Sequence, residues 1–291
     1  MSAPFLQFLL AGITIGAIYA LVALGFSIIY NASQVINFAQ GEFVMIGGMA
    51  TVSLAGAGWP LPAAIAGAVL LAAAIGLALE KFAVETARGA PVVTLIIITI
   101  GASILLRGIA ALVWDKNVHA LPAFSGDAPL AIGGATIVPQ SLWVIGATLG
   151  IVVLLGAFFG RTLLGKALLA TSHNRVAAQL VGINVRHVLL ASFGISAALG
   201  AIAGALVAPI TFTSWDIGVM LGLKGFAAAI LGGMGSGAGA VLGGLVLGIA
   251  EAMGAGYVSS AYKDAIAFIG ILAVLFFLPG GLLGRLSADR V

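Results

Sequence analysis

The 291 residues are 62% hydrophobic and only 7% charged, with a mean hydropathy of +1.24 and a formal net charge of +3. A soluble domain is about half apolar and roughly a quarter charged, so too few charges are present to cover a water-facing surface and lipid must be the solvent for much of the chain. Cysteine is absent, which excludes disulfides, thiolate metal sites and Cys nucleophiles. His119, His173 and His187 show no metal-ligand spacing, and Lys and Arg form no basic stripe for nucleic acid.

A helix needs roughly 17–25 apolar residues to cross the hydrocarbon core. Runs of that kind occupy 5–30, 35–55, 61–79, 92–113, 141–159, 188–208, 239–257 and 264–279, and a shorter run interrupted by glycine lies at 218–233. The runs are continuous rather than alternating, which predicts an all-α polytopic bundle of eight or nine spans rather than a barrel. No Lys or Arg precedes the first run, so a retained span is expected there rather than a secretory signal. The whole of 5–280 reads as a single transmembrane domain with no soluble domain at either end.

Charge in the connecting segments sets the expected orientation. Segment 80–91 holds Lys81 and Arg88, segment 160–187 holds Arg161, Lys166, Arg175 and Arg186, and the tail holds Arg285 and Arg290, together eight of the twelve basic residues. With nine crossings these segments share one side, so the positive-inside rule predicts a cytoplasmic C-terminus and an external N-terminus. Segment 114–140 then becomes the main external loop.

The 42 glycines often recur at spacings that let helices approach closely, as in Gly12/Gly16, Gly200/Gly204 and Gly239/Gly243. The stretch Gly232-Gly-Met-Gly-Ser-Gly237 is different, because four glycines in six residues should break a helix. Segment 160–167 matches most of a P-loop, but Ala167 stands where Ser or Thr would hold Mg²⁺ and a membrane span precedes it, so no nucleotide site is expected there. No Ser–His or paired-carboxylate arrangement for catalysis is evident.

Ionisable residues inside apolar runs are expensive and default to a functional reading. Glu42 suits either a helix-start carboxylate or a gating hydrogen bond. Arg107 is expected to snorkel toward the external interface. Lys224 and Glu251 suggest a buried pair, with a structural role ahead of substrate contact. In segment 160–187, Ser172 is placed to cap a short helix over 173–181, with Gly182 just past its end. Ala177, Ala178, Leu180 and Val181 give that helix an apolar side. Composition favours a helix lying at the membrane interface, and a partner's groove is the other reading.

Several motifs stand in order: Gly12-Ile-Thr-Ile-Gly16 with Tyr19 and Gly25, then Asn37-Phe-Ala-Gln40-Gly-Glu42, then Ala177-Ala-Gln-Leu-Val-Gly182-Ile-Asn184, then Gly222-Leu-Lys224 through Gly235, then Gly243 through Glu251. Over about residues 10–280 the chain resembles the permease family of branched-chain amino acid ABC importers, in particular the shorter of its two permease subunits. Gln40 stands where many members have His. The resemblance implies a bacterial inner-membrane protein that works with a second, longer permease, two cytoplasmic ABC ATPases and a periplasmic substrate-binding protein. It implies no cofactor on this chain and no enzyme activity, ATP being used by the partner subunits during alternating access. By the same resemblance Ser172, Arg175, Ala177, Ala178, Gly182 and Asn184 belong to an ATPase-coupling helix. Asn37, Gln40, Glu42, Lys224 and Glu251 become candidates for the translocation path or its gates. A stand-alone secondary transporter or channel is the alternative, since broken helices and intramembrane charges suit it equally.

Overall fold

A computed structural model describes residues 3–284. Arg285 and Arg290, on which part of the expected orientation rests, lie outside the described residues. The described chain forms helices α1 (Ala3–Ser33), α2 (Gln40–Gly56), α3 (Leu61–Leu79), α4 (Val92–Val113), α5 (Pro139–Arg161), α6 (Leu163–His173), α7 (Arg175–Leu180), α8 (Val185–Thr211), α9 (Ile217–Gly232), α10 (Gly237–Tyr257) and α11 (Lys263–Phe277). A π-helical turn, Glu80–Val84, prolongs α3. Segment 114–138 holds one β-hairpin, β1 (Leu130–Ile132) against β2 (Ala135–Ile137), with Leu130 opposite Ile137.

Local sequence sets most helix starts. Proline occupies the first turn of α3 and α5, where its missing N–H breaks no helical bond. Thr162, Asn174, Asn184 and Ser236 place side-chain oxygens on the free N–H groups of the helices that follow them. The glycine stretch breaks the chain as expected: α9 stops at Gly232, and Gly233 and Gly235 turn it at φ +102° and +90° before Ser236 starts α10.

Among the described residues six helices are long and apolar enough to cross a membrane: α1, α3 with its π turn, α4, α5, α8 and α10. α2, α9 and α11 fall short, at 17, 16 and 15 residues. The run 35–55 is not one helix. Residues 34–39 leave α1 and turn back into the bundle without helical structure, and α2 begins only at Gln40. Irregular backbone survives at membrane depth only under protein cover. Val35, Asn37 and Ala39 are buried, and the N–H of Phe38 donates to Thr99 Oγ1 of α4 at 3.2 Å.

α1 and α8 are buried over two thirds of their most apolar stretch, whereas α4 and α5 are buried over less than a fifth. α1 is therefore the centre of the bundle, and α4 and α5 present Leu and Ile to lipid. Against α10, α1 packs backbone to backbone. A Cβ on Gly16 would lie 2.9 Å from the Gly244 carbonyl oxygen, and Gly12 faces Gly248 in the same way. Lipid gives helices little hydrophobic reason to associate, so such close approach supplies the dispersion energy that holds them together.

Contacts sort the connections into two ends. Ala32 meets Arg175, Glu85 meets Arg186, and Asn31 donates to the Gly235 carbonyl at 2.8 Å. At the other end Gln7 meets Thr136, the backbone of His119 pairs with that of Thr213, and Phe8 packs on Tyr257. The basic segments 80–91 and 160–187 thus share one end.

Candidate functional site

Three clusters of polar side chains stand out from the apolar bundle. The first joins four helices. Lys224 in the middle of α9 places Nζ 2.7 Å from Glu251 Oε1 of α10 and 2.6 Å from Asp264 Oδ1 of α11, and Tyr19 of α1 donates its hydroxyl to Glu251 Oε2 at 2.8 Å. Lys224 and Glu251 are each under a tenth exposed, and the ammonium also stands 5.6 Å from the centre of the Tyr19 ring. The buried pair suggested by the sequence is present. Tyr19 and Asp264 complete it from helices distant in sequence, and no local pattern pointed to them as partners.

The second cluster lies at the start of α2. Glu42 is 1% exposed; its Oε1 accepts from Ser103 Oγ at 2.7 Å and faces Arg107 Nε at 3.3 Å, both on α4, while Oε2 has no hydrogen-bond partner. Arg107 therefore does not snorkel to the external interface. A carboxylate within reach in the bundle outweighs a longer path to water. Gln40 is wholly buried and stitches helices together. Its Nε2 donates to the Ser196 carbonyl, and Ser196 Oγ lies 2.6 Å from Gln40 Oε1 and 2.8 Å from the Gly25 carbonyl oxygen. Asn37 Oδ1 accepts from the Ala39 N–H at 3.1 Å, shaping the turn before α2. Glu42, Gln40 and Asn37 thus share one region; Lys224 and Glu251 belong to another.

The third cluster is at the end of the bundle where the basic segments gather. Ser172 does not cap the short helix: its Oγ donates to the Leu169 carbonyl inside α6 at 2.8 Å. Asn174 is the cap of α7, its Oδ1 accepting from the Ala177 N–H at 2.9 Å. Asn174 has the extended backbone a cap requires, whereas Ser172 is still helical. Gly182 follows the end of α7 at φ +87°, as expected, and Asn184 caps α8 by accepting from the Arg186 N–H at 3.1 Å. Within α7 Ala178 is buried, while Val176, Leu180 and the following Val181 are exposed. Arg175 Nη2 donates to the Ala32 carbonyl at the end of α1 at 2.8 Å, and Arg186 pairs with Glu85 beyond the π turn. Between these elements lies a cavity of about 650 Å³ lined by Glu80, Arg88, Arg175 and Arg186. The P-loop-like segment is a corner between α5 and α6, with Thr162 Oγ1 accepting from the Gly165 N–H.

At the opposite end, the Asp115 carboxyl is held below its usual pKa, first by the Asn117 N–H and further by His119. Among the described residues no three His, Asp or Glu side chains gather in a way that would hold a metal ion.

Long apolar helices packed through glycine, with charges paired between helices, define a multi-pass helical membrane protein. The chain belongs to the family described as branched-chain amino acid transport system / permease component, whose profile matches residues 8–275. It is 36% identical to the high-affinity branched-chain amino acid transport system permease protein LivH of Escherichia coli (strain K12), across 99% of this chain and 98% of that one. It is 34% identical, with the same coverage, to the corresponding permease protein BraD of Pseudomonas aeruginosa. A more distant relative, the ribose import permease protein RbsC of Escherichia coli (strain K12), is 29% identical over 75% of this chain and 66% of that one.

Proposed function

We propose that the chain is the translocating subunit of an ATP-driven importer for aliphatic amino acids in a bacterial inner membrane. Membership of the permease family is the observation that carries this reading, given identity to LivH and BraD over nearly the full length of each chain. In it the end bearing Lys81, Arg88, Arg161, Lys166, Arg175 and Arg186 faces the cytoplasm, as the positive-inside rule directs. The N-terminus and segment 114–138 face outward, and the described chain ends on the inner side beside Gly232. Residues 5–280 then act as one membrane domain.

α7 is the natural ATPase contact. It is short, exposed along Val176 and Leu180, and tied by Arg175 to the end of α1, while Arg186 in the first turn of the following α8 pairs with Glu85 past the π turn of α3. A push on such an element reaches two spanning helices directly. Two ATPases, a second and longer permease, and an external binding protein complete the machine. This chain supplies the helices whose two-state equilibrium ATP shifts, and it binds no cofactor of its own.

The test is gentle extraction of the tagged protein, identification of co-purifying chains, and reconstitution. Recovery of an ATPase and a second permease, with ATP-dependent uptake of leucine, is the expected result. Recovery of this chain alone, transporting without ATP, overturns the reading in favour of a secondary transporter.

A further inference from the structure

The cluster at Glu42 lies where two short helices begin. α2 starts at Gln40 once segment 34–39 has re-entered the bundle, and α9 starts at Ile217. Their first turns meet. A Cβ on Gly218 would lie 2.6 Å from the Gly41 carbonyl oxygen and 2.8 Å from Glu42 Oε2. The next residue, Phe43, packs on Gly200 of α8. By helix rise Gly200 stands about 22 Å from Val185 and about 16 Å from Thr211, so the junction sits near mid-membrane. The N-terminus of each helix brings partial positive charge to that point.

Three observations point to a ligand there. Glu42 Oε2 is buried and lacks a donor, and Glu42 is among the residues lining a cavity of about 140 Å³. A buried carboxylate oxygen without a donor forfeits solvation that nothing in the chain replaces. Arg107 lines the same cavity and is 28% exposed, and only its Nε faces Glu42, so its terminal N–H groups remain available. Beside Ser103 and the backbone of Gly218 and Gly222, the walls are apolar: Phe26, Phe38, Ile100, Val219 and Leu223. An apolar cavity of about 150 Å³ accommodates benzene, which sets the scale of the group that fits.

We infer that this pocket is a transit subsite for the zwitterion of an aliphatic α-amino acid. Glu42 Oε2 accepts from the α-ammonium, and Arg107 donates to the α-carboxylate with the converging helix N-termini behind it. The side chain lies against Phe26, Ile100 and Leu223. One acid and one base a few ångströms apart match the head group, and the hydrocarbon walls match a four-carbon tail. The subsite rests on the importer reading, because a delivered substrate must reach mid-membrane for it to be used.

The experiment compares uptake of leucine and valine by the reconstituted complete complex carrying Glu42→Gln, Arg107→Gln, Leu223→Phe or Ile100→Phe. Glu42→Gln keeps an acceptor for Ser103 but also removes the charge facing Arg107, so loss of uptake at normal complex recovery supports the subsite only together with a changed leucine-to-valine ratio in the ring variants. Leu223 and Ile100 are exposed at 40% and 41%, so a larger ring at either position disturbs no packed core. It narrows the pocket and should lower the leucine-to-valine ratio by about ten-fold, the lower end of what one methylene is worth in an apolar site. A merely structural Glu42–Arg107 pair predicts an unchanged ratio throughout. Wild-type leucine uptake in both charge variants overturns the subsite, as does an unchanged ratio in both ring variants. If the charge variants fail to assemble, the ring variants decide. Failure of the wild-type complex to form or import counts instead against the importer reading.

Discussion

Lys224 Nζ and Glu251 Oε1 stand 2.7 Å apart with both side chains under a tenth exposed, and Tyr19 holds the second oxygen of the same carboxylate. Breaking one side of such a pair leaves a buried charge without its partner, at a cost of roughly 3–5 kcal/mol, whereas replacing both sides together can be nearly neutral. Lys224→Met should therefore lower the yield of folded protein sharply. Lys224→Met with Glu251→Gln should recover part of it, the rest being the loss to Asp264, which also pairs with Lys224. Thermal unfolding of the detergent-extracted protein reads both, and equal loss in single and double variants would show that the pair is not what holds α9 to α10.

Arg186 and Glu85 form an ion pair of a different kind, half-exposed on the arginine side. Exposed pairs contribute about 0–1 kcal/mol, but Glu85 is only 12% exposed, so Arg186→Glu should lower the unfolding temperature modestly while the protein still inserts. Its effect should appear in coupling, because the pair ties the α7–α8 corner to the end of α3. The expected result is ATP hydrolysis that continues while substrate moved per ATP falls, with recovery when Glu85→Arg is added. Full coupling in Arg186→Glu would remove this corner from the transmission route.

How far the sequence anticipates these relationships depends on their range. Hydropathy locates nearly all the helices, and glycine density alone predicts the break at 232–237, because both signals lie within one window of residues. The start of α2 is hidden for a physical reason. Val35, Ile36, Phe38 and Ala39 are as apolar as a helix interior, and hydropathy does not separate a buried turn from a span. Helix α6 is missed because the glycines near the corner, Gly160 and Gly165, lie inside α5 and α6, and the turn itself falls on Thr162. Arg107 and Glu42, or Tyr19 and Glu251, meet only through tertiary packing, and no periodicity encodes that.

Two polar residues compete for the cap of α7, and their difference is measurable. Asn174→Ala removes the bond to the Ala177 N–H and should cost about 1 kcal/mol of local stability, which corresponds to roughly five-fold faster hydrogen exchange at Ala177. Ser172→Ala removes only a bond from Oγ back to a carbonyl of its own helix, and exchange over 175–180 should stay at the wild-type rate. Faster exchange in Ser172→Ala alone would reverse the assignment.

Orientation supplies the last prediction. The ends of the bundle are defined by contacts, Ala32 with Arg175 and Glu85 with Arg186 on one side, His119 with Thr213 on the other. Six lysines and arginines in segments 80–91 and 160–187 gather at the first end, and positively charged segments are retained in the cytoplasm. A single cysteine introduced at Gly89 or Val181 should therefore resist a membrane-impermeant maleimide in intact spheroplasts and react after permeabilisation. Both positions are exposed, so lack of reaction reports sidedness rather than burial. A cysteine at Asp127, in the segment at the other end, should react without permeabilisation. The chain already lacks cysteine, so no background thiol competes. Labelling of the Gly89 or Val181 variant in intact spheroplasts would invert the topology and remove α7 from reach of any cytoplasmic ATPase.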